Sequence, residues 1–255
     1  MTTVSAIIIT KDEEANIRSC LESLSWVDEI IIVDSGSSDQ TVEICREFTE
    51  QVFAHDWLGF GPQKNHALGY ATCTWVLSLD ADERVSNELR DEIMALKKEP
   101  RHDAYEIPRL SSYCGRFINH SGWRPDYVLR LFRRDRAKFS DDLVHERVLF
   151  EGRVGRLQND LIHFSFRNLE QVLAVVNRYS TLGAEQKYNN GQRSGLTKAV
   201  LHGLGAFIST YFLKAGFLDG KQGLMLAISN AEGTYYKYLK LMEFGWRSGG
   251  DDSHE

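Results

Sequence analysis

Trp75-Val-Leu-Ser-Leu-Asp-Ala-Asp-Glu83 is an apolar run that ends abruptly in acid, with Asp80 and Asp82 one residue apart and Glu83 directly after them. A buried strand that stops in this much negative charge implies something positive at its carboxyl edge, and a divalent cation is the first candidate. Mg²⁺ and Mn²⁺ take oxygen ligands, commonly one or two carboxylates together with substrate phosphates. In an open α/β sheet, the carboxyl ends of the strands are where ligands bind. Taken alone, such a pair of acids could equally cap the next helix or lie solvated in a turn. The residues upstream decide between these readings.

Residues 4–9 form a short run rich in β-branched side chains, and residues 13–24 set Ile17, Cys20, Leu21 and Leu24 at helical spacing. The strand signal returns at 29–33, followed by the turn residues Asp34-Ser-Gly-Ser-Ser-Asp39 and a helix over about 41–48. A third strand is expected at Val52 and Phe53, a helix over 63–71, the fourth strand over 75–79 and a helix over 87–97. Strands alternating with helices through short connections predict a mostly parallel, doubly wound sheet flanked by helices. After Pro100 the runs shorten, and 104–108, 127–132 and 147–150 read as strands of an antiparallel extension. From Asn168 onward the pattern is helical, over 169–188, 199–213 and 224–244. The division expected is 1–165 for the α/β domain, 166–247 for a helical extension and 248–255 for a polar, flexible tail.

Three strands of the first half stop at polar residues suited to a nucleotide: Thr10-Lys-Asp-Glu-Glu14, Asp34-Ser-Gly-Ser-Ser-Asp39 and Asp80-Ala-Asp82. In a parallel sheet these ends share one edge and can line a single crevice. A carboxylate there accepts hydrogen bonds from a base N–H or ribose hydroxyls, and Gly36 lets the backbone approach a ligand closely.

At this point the chain resembles glycosyltransferase family 2, inverting enzymes of the GT-A fold that use nucleotide-sugar donors. The resemblance rests on Ile8-Ile-Thr-Lys-Asp-Glu-Glu14, Val33-Asp-Ser-Gly-Ser-Ser-Asp-Gln-Thr41, Gln63-Lys-Asn65 and Leu79-Asp-Ala-Asp-Glu83. It implies that Thr10, Glu13 and Asp34 contact the nucleoside, that Lys64 lies near the diphosphate or base, and that Asp82 holds the metal. Asp80 would bind the ribose or join the metal shell. Lys11-Asp12 stands where many members have Tyr-Asn, and Ser35 where many have a second Asp. Within the family the chain is most similar to a lipopolysaccharide core subgroup, through Trp57-Leu-Gly-Phe-Gly-Pro-Gln-Lys-Asn65, Arg130-Leu-Phe-Arg133, Val144-His-Glu146 and Phe217-Leu-Asp-Gly-Lys-Gln-Gly223. That similarity implies a UDP-sugar donor, UDP-glucose in the first place, and a heptose of the lipopolysaccharide inner core as acceptor. Another lipid-linked or protein acceptor, or a non-catalytic nucleotide-sugar-binding regulator, is the alternative.

An inverting transfer needs a carboxylate to take the proton of the attacking hydroxyl and a cation to neutralise the departing diphosphate. Asp141, Asp142, His145 and Glu146 form the dense acid and imidazole cluster of the second half. Glu146 is the expected base, with Asp142 as its alternative, and His145 is either a metal or diphosphate ligand or a structural hydrogen-bonder. Arg124, Arg130, Arg133, Arg134 and Arg136 precede this cluster. Their guanidinium forks suit an anionic acceptor, Arg130 and Arg133 above all, or else pair with Asp126, Asp135 and Asp141.

Residues 1–100 hold 8 Lys and Arg against 19 Asp and Glu, a net of −11, whereas 101–255 hold 22 against 17, a net of +5. An acidic half suits a metal and a basic half suits an anionic partner. There is no basic stripe interleaved with aromatics, so nucleic acid is not an expected partner. Cys20, Cys45, Cys73 and Cys114 are scattered and read as reduced packing residues. The opening Met-Thr-Thr-Val-Ser-Ala has no basic n-region, so a cytoplasmic location is expected. Residues 199–213 carry no charge and are flanked by Lys198 and Lys214. They read either as an interfacial helix at the inner face of the membrane or as a helix buried on the catalytic domain or on a second subunit.

Overall fold

The computed structural model describes residues 3–98, 100–140 and 147–249. The expected base Glu146, its alternative Asp142 and the candidate ligand His145 lie outside the described residues, as do 250–255. The chain forms two compact units: Met1–Leu110 with Pro125–His163, and Ser111–Arg124 with Phe164–Glu255.

In the first unit the apolar runs become parallel strands joined by helices: β1 (Val4–Thr10), α1 (Glu14–Glu22), β2 (Glu29–Asp34), α2 (Thr41–Arg46), β3 (Val52–Ala54), α3 (Phe60–Tyr70) and β4 (Trp75–Asp80). They lie in the order β3-β2-β1-β4, all parallel. Then come β5 (Glu83–Val85), α4 (Asn87–Leu96), β6 (Ala104–Tyr113), β7 (Arg116–Phe117), β8 (Tyr127–Arg133), β9 (Ala137–Phe139), β10 (Val148–Phe150), β11 (Val154–Arg156) and β12 (Leu161–Phe166). Antiparallel β8 extends the sheet beyond β4, and β6 lies antiparallel to β8. This is the mostly parallel α/β sheet expected from the sequence.

Alternation along the inner strands fills two apolar layers. Ala6, Ile8, Ile32, Leu77 and Leu79 share one core cluster with Ile17 and Leu21 of α1 and Leu89 and Ile93 of α4. Ile7, Ile31, Val33 and Val76 share the other with Ala67 and Leu68 of α3. Each fully buried Leu or Ile of this kind contributes about 1.5–3 kcal/mol. The layers fix the strands rigidly and leave their carboxyl ends as the place where polar side chains gather. The strands too short to alternate, β5, β7, β9 and β11, were not expected from the sequence.

The second unit holds α5 (Leu169–Asn189), α6 (Leu196–Ile208), a π turn (Ser209–Leu213), a 3-10 turn (Gly216–Asp219) and α7 (Gly220–Gly249). Its limits differ from the expected division because residues 111–124 join it. Tyr113 and Ile118 pack there with Val172 of α5 and Leu226 of α7. The tail expected from 248 begins inside α7. Gly203 of α6 sits so close to α7 that a Cβ would lie 3.1 Å from the Tyr235 Cβ and 3.4 Å from the Ala231 carbonyl oxygen. The opposite side of α6 is exposed, with Leu201, Leu204 and Ile208, and Phe212 of the π turn, each more than 45% accessible.

Candidate active site

The parallel register places Thr10 beside Asp34 and Ile9 beside Asp80, so the ends of β2, β1 and β4 form one polar edge. Thr10 and Asp34 are both buried there. Thr10 Oγ1 donates to Asp34 Oδ1 at 3.0 Å, and the backbone N–H groups of Gly36 and Ser37 donate to Oδ2 at 2.9 Å each. The Ser37 hydroxyl also donates to Oδ1. A carboxylate has about four lone-pair positions, and these four donors fill them. Asp34 thus braces the turn that follows β2. Gly36 adopts φ +81° at the apex of that turn, a conformation that favours glycine. Glu13 precedes α1 and accepts from the Asn16 amide at 2.7 Å, and its backbone N–H donates to Thr41 Oγ1 at 2.8 Å, which ties the first turn to the second. Behind Asp34, burial and the carboxylate's charge push the Cys45 thiol up to about 12, so it stays protonated.

Gly59, at φ +113°, starts α3 so that three consecutive side chains of its first turns reach three different elements. Gln63 Nε2 donates to Ser35 Oγ at 2.9 Å and to the His55 carbonyl oxygen at 3.2 Å. Lys64, 3% exposed at its side chain, places Nζ 2.9 Å from Asp80 Oδ1. Asn65 exchanges a pair of hydrogen bonds with the backbone of Phe139 in β9, at 2.8 and 2.9 Å. One residue further, Ser140 N–H donates to the Arg147 carbonyl oxygen at 2.8 Å. Ser140 and Arg147 are thus joined next to the strand that Asn65 grips.

Asp80 is claimed by two cations. Lys64 occupies Oδ1, and Arg130 Nη2 donates to Oδ2 and also to Glu83 Oε1 at 2.8 Å. Burial opposes ionisation of Asp80, but the charges and hydrogen bonds of Arg130 and Lys64 outweigh it and hold the carboxyl well below the usual carboxylate range. Glu83, fully buried, accepts the Asp80 N–H at 3.0 Å and lies 3.4 Å from Arg109 Nη1. Arg109 in turn bonds Asp126 at 2.9 Å.

The two arginines expected at an anionic acceptor are both engaged within the chain. Arg130 is 8% exposed and bonds Asp80 and Glu83. Arg133 pairs in register with Trp75, at the amino end of β4 and away from the polar edge, and its partner is Asp135 at 3.2 and 3.3 Å. Antiparallel pairing of β8 with β4 sends residues three apart toward opposite ends of the sheet.

Asp82 stands differently from Asp80. Its Oδ2 lies 3.3 Å from His163 Nε2, brought there by the antiparallel pairing of Glu83 with His163. An acid oxygen and an imidazole nitrogen facing each other, beside an edge suited to a diphosphate, form a donor set that fits a divalent cation. Among the described residues no group of three or more His, Cys, Asp and Glu side chains gathers as a complete cage, so substrate oxygens would have to complete the shell. Asp80, with both oxygens already bonded to cations, does not fit as a ligand in this geometry. Sequence reasoning missed Glu83, Arg109 and His163. Glu83 was visible as the third acid of the Asp-Ala-Asp-Glu run, while His163 needed the β5–β12 register.

The description "Glycosyl transferase family 2" matches residues 5–151, and the chain belongs to that family. It is 30% identical to an uncharacterized glycosyltransferase of Rickettsia typhi, over 97% of this chain and 89% of the relative. It is also 30% identical to the lipopolysaccharide core biosynthesis glycosyltransferase LpsC of Rhizobium meliloti, over 92% of this chain and 93% of that protein. Among solved structures, S. aureus TarS 1–349 shares the fold at a TM-score of 0.50 and 18% identity, over 97% of this chain and 92% of that one.

Proposed function

We propose that this glycosyltransferase moves a hexose, glucose in the first place, from a UDP-sugar to a heptose of the lipopolysaccharide inner core, with inversion and with Mg²⁺ or Mn²⁺ bound. The observation that carries the proposal is the polar edge itself: Thr10, Asp34 and Asp80 on adjacent parallel strands, with Asp82 against His163. Likeness to LpsC along both chains supports the acceptor class. TarS, of the same fold, has been solved in complex with UDP, which supports the donor class.

Asp82 and His163 would hold the cation, which when bound supplies positive charge to the departing diphosphate. The turns braced by Asp34 and Glu13, with Thr10 and Gly36, would form the nucleoside wall. Lys64 and Arg130 would keep Asp80 oriented toward the ribose. Glu146, or Asp142 in its place, would take the proton of the acceptor hydroxyl as its oxygen attacks the anomeric carbon. The new glycosidic C–O bond forms as the bond from that carbon to the diphosphate breaks, and UDP leaves with the bonding electrons. Attack from the face opposite the leaving group inverts the anomeric centre.

The proposal also sets the enzyme at the inner face of the cytoplasmic membrane, where a lipid-linked acceptor is available. Helix α6 and the π turn form an 18-residue apolar stretch, Leu196–Leu213, of which 17% is buried. By length and composition it could cross a membrane, at the short end of the spanning range. With its small residues against α7, it suits an interfacial helix.

The test is to incubate purified protein with UDP-glucose, Mn²⁺ and deacylated heptose-containing core oligosaccharide. The expected result is UDP release matched by a product one hexose heavier and inverted at the anomeric carbon, abolished by a chelator. Binding of UDP-glucose with neither transfer nor hydrolysis would favour a regulator, and transfer unaffected by chelation would remove the metal.

A further inference from the structure

Residues 186–218 include Lys187, Arg193, Lys198 and Lys214 and contain no Asp or Glu. The first three gather with Lys237 at one end of the helical unit, where α5, α6 and α7 meet around Tyr238. The ammonium groups of Lys187, Lys198 and Lys237, each from a different helix, lie 5.5, 5.6 and 5.6 Å from the centre of the Tyr238 ring. His202, one turn after Lys198, stacks on that ring at 4.0 Å. The Arg193 guanidinium lies 4.4 Å from the centre of the Tyr188 ring, which packs on the same cluster. A Cβ on Gly183 of α5 would fall 2.9 Å from Lys237 Cδ, so the stem of Lys237 lies flat against α5.

The charges of this cluster are not cancelled within the described chain. Lys187 Nζ donates to Gln192 Oε1 at 3.2 Å, Lys198 Nζ to the Arg193 carbonyl oxygen at 3.2 Å, and Arg193 Nη1 to the Gln192 carbonyl oxygen at 2.9 Å. All three acceptors are neutral, and none of the four cations forms an ion pair among the described residues. No Asp or Glu stands three or four residues from any of the three lysines, the spacing at which a helix pairs lysine with a carboxylate. Aromatic rings hold cations by their faces but carry no charge to neutralise them. The result is a concentrated positive patch on a chain whose formal net charge is −6, and such a field attracts an anionic partner.

The patch adjoins apolar surface on the same helix. At 3.6 residues per turn, Lys198 and His202 lie on the flank of α6 between its packed side, Ala199 and Gly203, and the exposed stripe of Leu201, Leu204 and Ile208. Cations beside an apolar stripe suit a surface that is anionic at its phosphates and apolar just beneath them. We propose that Lys187, Arg193, Lys198 and Lys237 bind the phosphate headgroups of anionic phospholipids, with the Tyr238 and Tyr188 rings fixing the cations beside the apolar stripe. The patch depends on the interfacial reading of α6 above, to which it adds the class of lipid and the side chains that select it.

The test is flotation of the full chain with vesicles of phosphatidylcholine alone and of three parts phosphatidylcholine to one part phosphatidylglycerol. Wild type should partition more strongly onto the anionic vesicles despite its net negative charge, and should lose that preference as salt is raised. Exchange of Lys187, Lys198 and Lys237 together for Gln should weaken partitioning onto anionic vesicles about 10²-fold, roughly fivefold per charge. Exchange of the exposed Lys98, Lys138 and Lys221 for Gln removes the same charge and should weaken it far less. A preference that salt does not reduce, or equal losses in the two triple variants, would overturn the patch. Equal partitioning onto both vesicles, abolished by Leu204→Glu with Phe212→Glu, would refute the patch and leave the interfacial helix standing. Wild type that floats with neither vesicle would refute both. If the first triple variant floats as wild type does but binds a phosphorylated core oligosaccharide more weakly, the anion belongs to the acceptor and the lipid assignment falls.

Discussion

The polar edge of the sheet and the α6 helix break the ordinary division of polar and apolar residues in opposite directions. At the edge, charged groups are withdrawn from water: Lys64, Glu83 and Arg130 are buried around Asp80 and neutralise one another. On α6 and the π turn after it, Leu201, Leu204 and Phe212 stay in contact with solvent although the α7 side of α6 is packed. Buried charge is tolerated only when paired, and exposed apolar surface of this extent marks an interaction site. The two regions thus break the division in opposite senses, and the function proposed for each can be tested through the rule it breaks.

The comparison is tested most severely at Arg130. Arg130→Met should leave Asp80 and Glu83 uncompensated and destabilise the fold by about 3–5 kcal/mol, the cost of breaking a buried ion pair from one side. Arg130→Lys, which keeps the charge but not the fork, should fall between. Denaturant melts decide, and a Met variant as stable as wild type would show that the cluster is not truly desolvated. Next in size is Glu146→Gln, expected to lower the transfer rate by about 10²–10⁴ with donor affinity unchanged. If Asp142→Asn has that effect instead, the base is Asp142.

On the apolar side, Leu204→Glu with Phe212→Glu should abolish co-sedimentation with anionic vesicles while the protein stays folded and transfer to a delipidated acceptor survives. Wild type remaining in the supernatant would leave α6 without a membrane role. The smallest effect concerns acid. Asp80 has a folded pKa held below its unfolded value of about 3.9, so its stabilising contribution is complete above that value and is lost as pH falls through the lower folded one. Melting temperatures between pH 3 and 7 should therefore show no loss from Asp80 above about pH 5. A difference between wild type and Asp80→Asn that changes between pH 5 and 7 would contradict this.

Much of the site was legible because the parallel strands announce themselves. Apolar runs that stop at Thr10, Asp34 and Asp80 identify both the sheet and its polar edge, and Lys64 follows from the family motif. What stayed hidden depends on pairing between distant strands. Arg130 reads as one of a cluster of arginines until the β4–β8 register turns it toward Asp80 and sends Arg133 the other way. His163 reads as a lone histidine in an apolar strand until β12 pairs with β5. The excursion 111–124 has loop composition, and Asp219, which organises part of it, lies some hundred residues away in sequence. Local propensity holds no information about either contact.

The central claim is that two acids one residue apart do different work, Asp80 neutralised by cations of the chain and Asp82 left with His163 for a divalent ion. UDP binding measured by calorimetry with and without Mn²⁺, for wild type, Asp82→Asn, His163→Gln and Asp80→Asn, tests it directly. Wild type should bind UDP more tightly with Mn²⁺, Asp82→Asn and His163→Gln should lose that increment by about tenfold or more, and Asp80→Asn should keep it while binding UDP more weakly throughout. A Mn²⁺-dependent increment that survives in Asp82→Asn and disappears in Asp80→Asn would contradict the account.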